Sequence, residues 1–303
     1  MKYDIITVGG AVIDVFLKSD FKEKNNEICL PIGEKILIRG LFLSTGGGGT
    51  NTAAGFKKMG LKTAFLGALG KDENGEIILK EMKKRGIASL GSREKHMTGY
   101  SIVLDSKKND RTILTYKGAN EDLGMNDFSL SKLNTRWFYF ASSVGQTLET
   151  QKKLVDFANK NNIKIAFNPS SYLTAKGPSQ ISKILKSTEI LVLNEQEAKD
   201  LVKTNIFENL HSLGPRIICV TYGEKGARVF DGSKLFYEPA RKVKFVERTG
   251  EGDAFSSGFI SSYIKTMNIE KSLKIGIINS ASVISKRGAK NGLLSFSQAI
   301  KKL

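Results

Sequence analysis

The segment 248–255, with the sequence Arg-Thr-Gly-Glu-Gly-Asp-Ala-Phe, joins a glycine turn, a helix start and a carboxylate. Gly250 and Gly252 permit backbone conformations that a Cβ atom forbids, and the residues after them predict a buried helix. The free N–H groups and the positive dipole end of such a helix favour an anion. In that first turn, Asp253 could accept a proton from an alcohol that attacks a bound phosphoryl group. The same letters also suit an aspartate that caps a helix after a tight turn, so the segment alone leaves both interpretations open.

A second glycine cluster, Gly46–Gly49, precedes Asn51 and a predicted helix. Four successive glycines leave no side chains in the way of a close ligand, and the amide of Asn51 could bind a substrate hydroxyl or cap the helix. Taken alone, the cluster is more typical of a flexible turn.

Two strand-to-helix or strand-to-turn junctions also carry candidate ligand-binding residues. Asn194 and Glu197 are three residues apart and face the same way, an arrangement that suits hydrated Mg²⁺ but equally forms a helix-capping box. The segment from Thr221 to Gly226 could bind phosphate through its backbone N–H groups or link two strands.

Composition excludes several classes of function. The chain has 303 residues, of which 40% are hydrophobic and 25% charged, so it can bury a large core and is expected to form one domain over residues 1–303. Its net charge of +17 comes from lysines scattered without interleaved aromatic residues, which predicts a solvated surface and no nucleic-acid partner. No apolar run approaches the roughly 20 residues of a membrane helix, and no signal peptide is recognised, so a cytoplasmic protein without a membrane partner is expected. Cys29 and Cys219 lie in apolar runs and are expected to be buried free thiols.

The order of predicted elements indicates an α/β fold. Strand-like and helix-like runs alternate along most of the chain, which is typical of parallel βαβ units with helices on both sheet faces. Helices are predicted over about 76–85, 148–159 and 269–286. Two segments, about 16–43 and 98–117, break this alternation and predict a small antiparallel sheet, with a turn at 105–110, that could close over a substrate or pair with a second copy of the chain.

Taken together, these motifs resemble the ribokinase-like, or PfkB, family of carbohydrate kinases over essentially the whole chain. The order and spacing of the motifs carry the resemblance, since each motif alone is weak. The matching positions are Asp14; Gly46, Gly47 and Asn51; Gly70, Asp72 and Gly75; 111–112 and 117–120; Asn194 and Glu197; Thr221, Gly223 and Gly226; and 247–253.

The resemblance implies a ribokinase-like three-layer α/β/α sandwich with a mainly parallel central sheet and a small antiparallel β lid. It also implies the roles of individual residues. ATP would lie near Asn194, Thr221, Gly223, Gly226 and Asn279, and the acceptor near Asp14, Gly46, Gly47, Asn51 and Asn168. Asp253 would be the general base, and the anion hole would span Gly250, Glu251, Gly252 and Asp253. Mg²⁺ would be held by Glu197 and Asn194, largely through water.

Several positions depart from the family pattern. Glu247 and Arg248 replace an Asp and a Thr, which leaves open whether Glu247 helps to bind a monovalent cation such as K⁺. Glu251 stands where the family has Ala and is expected to turn away from phosphate. Gly48 and the pair 142–143 stand where ribokinases have Lys and Glu, which argues against ribose as the acceptor.

The expected activity is therefore phosphorylation of a hydroxymethyl group on a small sugar, sugar acid or nucleoside, with sugar as the first choice. A nucleoside kinase is the alternative, because Phe16, Phe42 and Tyr100 in the lid segments could stack on a base. A nucleotide-binding pseudokinase is disfavoured by the intact Asp253, and a dehydrogenase by the glycine spacing in 9–14. A homodimer formed through the lid is also an open expectation.

Overall fold

The computed structural model describes residues 2–25, 27–105 and 111–303. Within these residues a nine-stranded sheet forms the centre of the fold, in the order β17-β16-β15-β14-β13-β12-β1-β6-β8. Its strands are β1 (Tyr3–Val8), β6 (Thr63–Leu66), β8 (Ala88–Ser89), β12 (Thr135–Phe140), β13 (Lys164–Phe167), β14 (Thr188–Asn194), β15 (Ile217–Thr221), β16 (Ala227–Phe230) and β17 (Leu235–Glu238). All neighbouring pairs are parallel except β15–β16 and β16–β17, so the predicted mainly parallel sheet is confirmed.

Helices cover both faces of this sheet, as alternation of buried side chains along its strands requires. Ile5 faces one side with the helix residues Phe56 and Phe259, whereas Ile6 faces the other with Leu154 and Leu210. The α-helices are α1 (Gly48–Lys58), α2 (Glu73–Lys84), α3 (Gly145–Lys160), α4 (Ser170–Thr174), α5 (Ser182–Lys186), α6 (Glu195–Leu201), α7 (Ile206–Ser212), α8 (Glu251–Thr266), α9 (Ile269–Ile284) and α10 (Phe296–Ile300). The three-layer arrangement and the helices predicted near 76–85, 148–159 and 269–286 are thus confirmed.

A smaller four-stranded sheet, which we call the lid, projects from the central body in the order β11-β10-β2-β5. Its strands are β2 (Val12–Lys18), β5 (Gly40–Gly46), β10 (Gly99–Asp105) and β11 (Arg111–Tyr116). The prediction of an antiparallel lid was wrong in one pair, because β2 and β10 run parallel. Both of these strands leave the body in the same direction, while β5 and β11 return to it. The predicted turn at 105–110 lies largely outside the described residues.

Two further pairs of short strands lie outside both sheets. They pair as β3 (Lys22–Lys24) with β4 (Glu27–Cys29), and as β7 (Leu69–Gly70) with β9 (Arg93–Glu94). Cys29 is exposed and only Cys219 is buried, so the expectation of two buried thiols was half wrong. Cys29 lies on a three-residue strand of the small hairpin and not in the core. None of the helices in the described residues combines the length and apolar character that crossing a bilayer requires.

Candidate active site

The glycine turn before α8 has the geometry that its sequence predicts. Gly250 is the N-cap residue, and its φ of 79° belongs to the left-handed region that favours glycine. A Cβ atom at Gly250 would overlap Ala289, whereas one at Gly252 would project into open space. The N–H groups of Gly252 and Asp253 lie in the first turn, where the helix offers them no carbonyl partner. These amides are therefore available to an anion.

Asp253 is half-buried and contacts Asn51, which follows the second glycine cluster. Asn51 Nδ2 donates a hydrogen bond of 2.9 Å to Asp253 Oδ2, so Asn51 contacts the carboxylate and does not cap α1. Asn51 Oδ1 is buried and finds no donor among the described residues, and Asn51 lies behind the cavity walls described below without lining either of them. Burial raises the pKa of Asp253 to about 6, although the Asn51 hydrogen bond and the charge of Lys290 act to lower it.

The glycines before Asn51 are required by close packing. Gly47 is the N-cap residue of α1 with a φ of 95°, and a Cβ there would lie 2.6 Å from Gly10 O. A Cβ at Gly46 would overlap the carboxylate of Asp14. Asp14 lies on β2 at the root of the lid, and burial raises its pKa to about 6 against the lowering effect of a hydrogen bond from Ser101. The flexible-turn interpretation of this cluster is therefore not needed.

Two cavities meet at the start of α8. The inner cavity has a volume of about 350 Å³ and includes Gly47, Gly48, Asn168, Ser142 and Asp253 in its wall. The outer cavity has a volume of about 860 Å³. Residues that line both are Arg111, Asn194, Thr221, Arg248, Glu251 and Gly252. Asp14 and Gly46 line neither cavity, although Gly46 is followed directly by Gly47 and Gly48 in the wall of the inner one.

Asn194 and Glu197 form the capping box that was their alternative interpretation. Asn194 Oδ1 accepts from Glu197 N at 2.8 Å, and Glu197 Oε2 accepts from Asn194 N at 2.9 Å. Both residues nevertheless line the inner cavity, and burial raises the pKa of Glu197. The two interpretations are thus compatible, because capping fixes a carboxylate at the wall of the cavity.

The outer cavity contains most of the other predicted nucleotide-binding residues. Thr221, Gly223 and Gly226 line it, but Asn279 does not. Asn279 is fully buried, donating to Ala254 O at 2.7 Å and accepting from Leu294 N at 3.0 Å. The side chain of Asn279 itself does not face the outer cavity, because its amide joins α9 to α8 and to the chain before α10, but its helix neighbours Ile277, Ser280 and Ala281 line that cavity. That the Asn279 region lies near a nucleotide base stays a prediction.

Two glutamates that depart from the family pattern, Glu247 and Glu251, lie on either side of Gly250. Glu247 Oε2 accepts from Gly288 N at 3.1 Å, while Glu247 Oε1 and Thr249 Oγ1 are buried without a partner among the described residues. Two such oxygens fit a cation. Glu251 lines both cavities, and the expectation that its side chain turns away from phosphate stays a prediction. Burial raises its pKa, and the charges of Arg248 and Arg111 oppose that rise.

Comparison with known proteins decides the family. Residues 4–295 match the profile of the pfkB family carbohydrate kinases. The chain belongs to the pfkB family. It is therefore a phosphotransferase, and its α/β body and lid are those of a ribokinase-like fold.

The proteins similar to this pfkB kinase include a sugar kinase, a nucleoside kinase and a ribokinase. An uncharacterized sugar kinase of Archaeoglobus fulgidus is 27% identical over 248 residues, which cover 79% of this chain and 98% of the relative. A nucleoside kinase of Methanocaldococcus jannaschii is 27% identical over 308 residues, covering 99% of this chain and 96% of the relative. The crystal structure of a putative ribokinase II from E. coli, in complex with ATP and Mg²⁺, has a TM-score of 0.84 at 18% identity and covers 99% of this chain and 98% of that chain.

Sequence reasoning missed several residues of the pfkB site. Tyr139, Lys117, Asn120 and Tyr172 line the inner cavity. The segment 117–120 matched the end of the family's lid hairpin, but that match carried no role for Lys117. Tyr139 and Tyr172 had no signal, since aromatic residues in strands and short helices usually indicate packing alone.

Proposed function

We propose that residues 1–303 form one kinase domain that transfers the γ-phosphoryl group of ATP to a hydroxymethyl group of a small sugar or sugar derivative. The observation that carries this proposal is the half-buried carboxylate of Asp253, which lies in the first turn of α8 where the two cavities meet. A cavity for the acceptor on one side of a base and a cavity for the nucleotide on the other is the arrangement that phosphoryl transfer needs.

The proposed reaction uses Asp253 as a general base. Its ionised carboxylate accepts the hydroxyl proton while the acceptor oxygen forms a bond to the γ-phosphorus and the bond to the ADP oxygen breaks. Asn51 holds the carboxylate in place through the 2.9 Å hydrogen bond. The N–H groups of Gly252 and Asp253 stabilise the charge on the transferred group, because they are fixed before the reaction begins. Gly47 and Asn168 line the inner cavity where the acceptor is proposed to bind, and Gly46 and Asp14 are assigned to the same acceptor although they line neither cavity.

The outer cavity suits the nucleotide. Ile277, Ala281 and Ile284 present an apolar wall for a base, and Gly223 and Gly226 bring backbone close to phosphates. The solved relative in complex with ATP and Mg²⁺ supports ATP as the donor. Mg²⁺ supplies charge neutralisation to the phosphates. Glu197 and Asn194 would hold Mg²⁺ through water molecules, because the capping hydrogen bonds already use Glu197 Oε2 and Asn194 Oδ1.

Substitution of Glu197 by Gln should separate the metal role from the cap. Glutamine can still accept from Asn194 N, so the helix start should survive while the charge is lost. The Mg²⁺ concentration for half-maximal activity should rise roughly tenfold, as measured by titration at saturating ATP. Glu208→Gln on the exposed side of α7 is the control. An identical Mg²⁺ titration for the Glu197→Gln variant and the wild type would contradict the metal role.

A monovalent cation beside the anion hole forms part of the proposal. Glu247 Oε1 and Thr249 Oγ1 supply two unpartnered buried oxygens for it. Activity in K⁺ should exceed activity in the same concentration of a bulky organic cation, and Glu247→Gln should abolish the difference.

The alternative acceptor is a nucleoside. Its support is the nucleoside kinase relative. Against it, Phe16 and Phe42 pack on each other with ring centroids 5.7 Å apart, and neither residue lines the inner cavity. Tyr100 is partly buried and packs against the cluster in which Ile13 and Val15 of the lid meet helices of the body. Because the three aromatic residues serve the lid itself, a sugar remains the first choice, and the intact Asp253 keeps a pseudokinase least favoured.

We also propose that the lid pairs with a second copy of the chain. Leu41, Leu43 and Leu114 are exposed on the lid strands and would be buried in such a pair. Light scattering should give twice the monomer mass, and Leu41→Ser with Leu43→Ser should restore the monomer mass. A wild-type monomer at high concentration would exclude the dimer.

The experiment that tests the function is coupled ADP release with ATP, Mg²⁺ and a panel of sugars, sugar acids and nucleosides, in K⁺ and in Na⁺. Turnover with a sugar or sugar acid supports the proposal, and turnover confined to nucleosides supports the alternative. ATP binding without turnover of any acceptor would indicate a pseudokinase.

The pH dependence of the reaction should reflect two carboxylates. Burial raises the pKa of both Asp253 and Asp14 to about 6, and the reaction needs Asp253 ionised, so activity should fall as pH drops through about 6. If both groups must be ionised, the acidic limb of log kcat/KM for the acceptor should approach a slope of two. Asp14→Asn should reduce that slope to one. A wild-type profile that stays flat between pH 7 and pH 5 would contradict the role of Asp253.

A further inference from the structure

Lys117 places a cation at the acceptor end of the site. The proposed function gives this lysine no role. It lines the inner cavity but not the outer one, whereas Arg111 and Arg248 line both. Its position therefore separates it from the residues that face the nucleotide phosphates.

The position of Lys117 is set by the segment that returns the lid to the body. Lys117 O accepts from Asn120 N at 3.1 Å, and Ala119 N donates to Met97 O at 2.9 Å. Asn120 Oδ1 in turn accepts from Ala11 N at 2.8 Å. The lysine Nζ lies 4.0 Å from the centre of the Tyr172 ring, which also lines the inner cavity. A flexible side chain is thus held over an aromatic face at the wall of the cavity.

The carboxylates of the same cavity are engaged with other groups. Asp253 accepts from Asn51, Glu197 belongs to the capping box, and Glu251 lies under the influence of Arg248 and Arg111. In the part of the chain that the structure describes, no carboxylate oxygen lies within 4 Å of Lys117 Nζ, the distance that defines an ion pair. Ser142 and Asn168, which also line the inner cavity, are neutral and can donate hydrogen bonds, whereas the Ser143 hydroxyl already donates to Ala141 O. Among the described residues, the charge of Lys117 in the cavity wall is therefore not neutralised by an ion pair.

We propose that the acceptor carries an anionic group, a carboxylate or a phosphate, separate from the hydroxymethyl group that is phosphorylated, and that Lys117 binds this group. The inference rests on the proposed function and narrows its substrate class to sugar acids and sugar phosphates. A hydrogen bond between a lysine and an anion in a partly buried cavity is among the stronger polar contacts. Lys117 is then a specificity-determining residue, because a neutral sugar leaves its charge without a partner.

The test compares matched neutral and anionic acceptors in the ADP-release assay: glucose with gluconate, fructose with fructose 6-phosphate, and ribose with ribose 1-phosphate. For at least one pair, kcat/KM of the anionic member should exceed that of the neutral member at least tenfold. Lys117→Met should lower this preference at least tenfold, mainly through KM, and Lys117→Arg should retain most of it. Lys132→Met, at an exposed site outside the cavity, is the matched control. The carboxylate and phosphate pairs show which anion the site accepts.

Three outcomes decide the inference. A preference that depends on Lys117 supports it. Turnover of neutral sugars as fast as anionic ones, or an unchanged preference in Lys117→Met, overturns it while the proposed kinase activity stands. If no acceptor is phosphorylated, the proposed function fails. Calorimetric titration of the wild type and Lys117→Met with gluconate and fructose 6-phosphate then decides whether the anion site exists. Binding that Lys117→Met weakens at least tenfold keeps the anion site, and equal or absent binding removes it.

Discussion

Replacing Asp253 with Asn is expected to reduce kcat by a factor of about 10²–10⁴ while the affinity for ATP stays within a few-fold of the wild type. The amide has the same shape as the carboxylate and can still accept from Asn51 Nδ2, but it does not accept the hydroxyl proton at neutral pH. Single-turnover kinetics and nucleotide titration measure the two quantities separately.

The same variant should gain stability, which distinguishes loss of a base from loss of the fold. Because burial raises the pKa of Asp253 to about 6, its ionised form destabilises the folded state at neutral pH, by up to about 3 kcal/mol. Asparagine removes that charge, so the free energy of unfolding should rise. Asp156→Asn on the exposed face of α3 is the control for the substitution itself. An Asp253→Asn enzyme that turns over normally would show that another group accepts the proton.

Replacing Lys290 with Met is expected to destabilise the protein by about 3 kcal/mol. The lysine side chain is only 4% exposed, and its Nζ lies 3.1 Å from Glu81 Oε2. It also donates to Thr45 O at 3.1 Å and to Thr45 Oγ1 at 2.7 Å. These contacts join the loop before α10 to α2 and to β5, just before Gly46 enters the site. Methionine leaves a half-buried carboxylate with Arg85 as its remaining charged partner.

Chemical denaturation should show the loss as a lower midpoint, and the KM for the acceptor should rise because the root of β5 loses an anchor. The double variant Lys290→Met with Glu81→Gln should recover part of the stability, since it removes the carboxylate that the single variant leaves behind. Lys286→Met, on the exposed side of the same loop, is the matched control. Equal stability of Lys290→Met and Lys286→Met would show that the buried pair contributes nothing.

The sequence was a good guide wherever a local rule decides the structure. Alternating strand and helix patterns predicted the layers, since burial on both faces of a parallel sheet leaves few other arrangements. Gly250 predicted the start of α8, because glycine adopts the left-handed backbone conformation of this N-cap position at little cost, whereas a residue with a Cβ atom does not. The antiparallel lid was the main error of topology. A strand pattern specifies which residues are buried, but the direction in which β2 and β10 leave the body depends on contacts between distant segments.

Local patterns also left the roles of several residues undecided. Asn194 and Glu197 have the letters of both a capping box and a metal site, and the structure shows the cap at the wall of the cavity. Asn279 lies on a helix near the outer cavity, yet its amide is used inside the core. Side-chain direction on a helix is set by packing against its neighbours, which a sequence window of a few residues does not contain.

By itself the sequence determined the fold class and the glycine turn that starts α8, because both depend on the conformational preferences of residues close together in the chain. The order of motifs along the whole chain made Asp253 the candidate base. The tertiary structure alone decided that Asn51 contacts Asp253 across 202 positions, that Lys290 is buried against Glu81, and that Lys117 reaches the inner cavity over Tyr172. These contacts join segments far apart in sequence, and their energies depend on burial and on the charges that folding brings together.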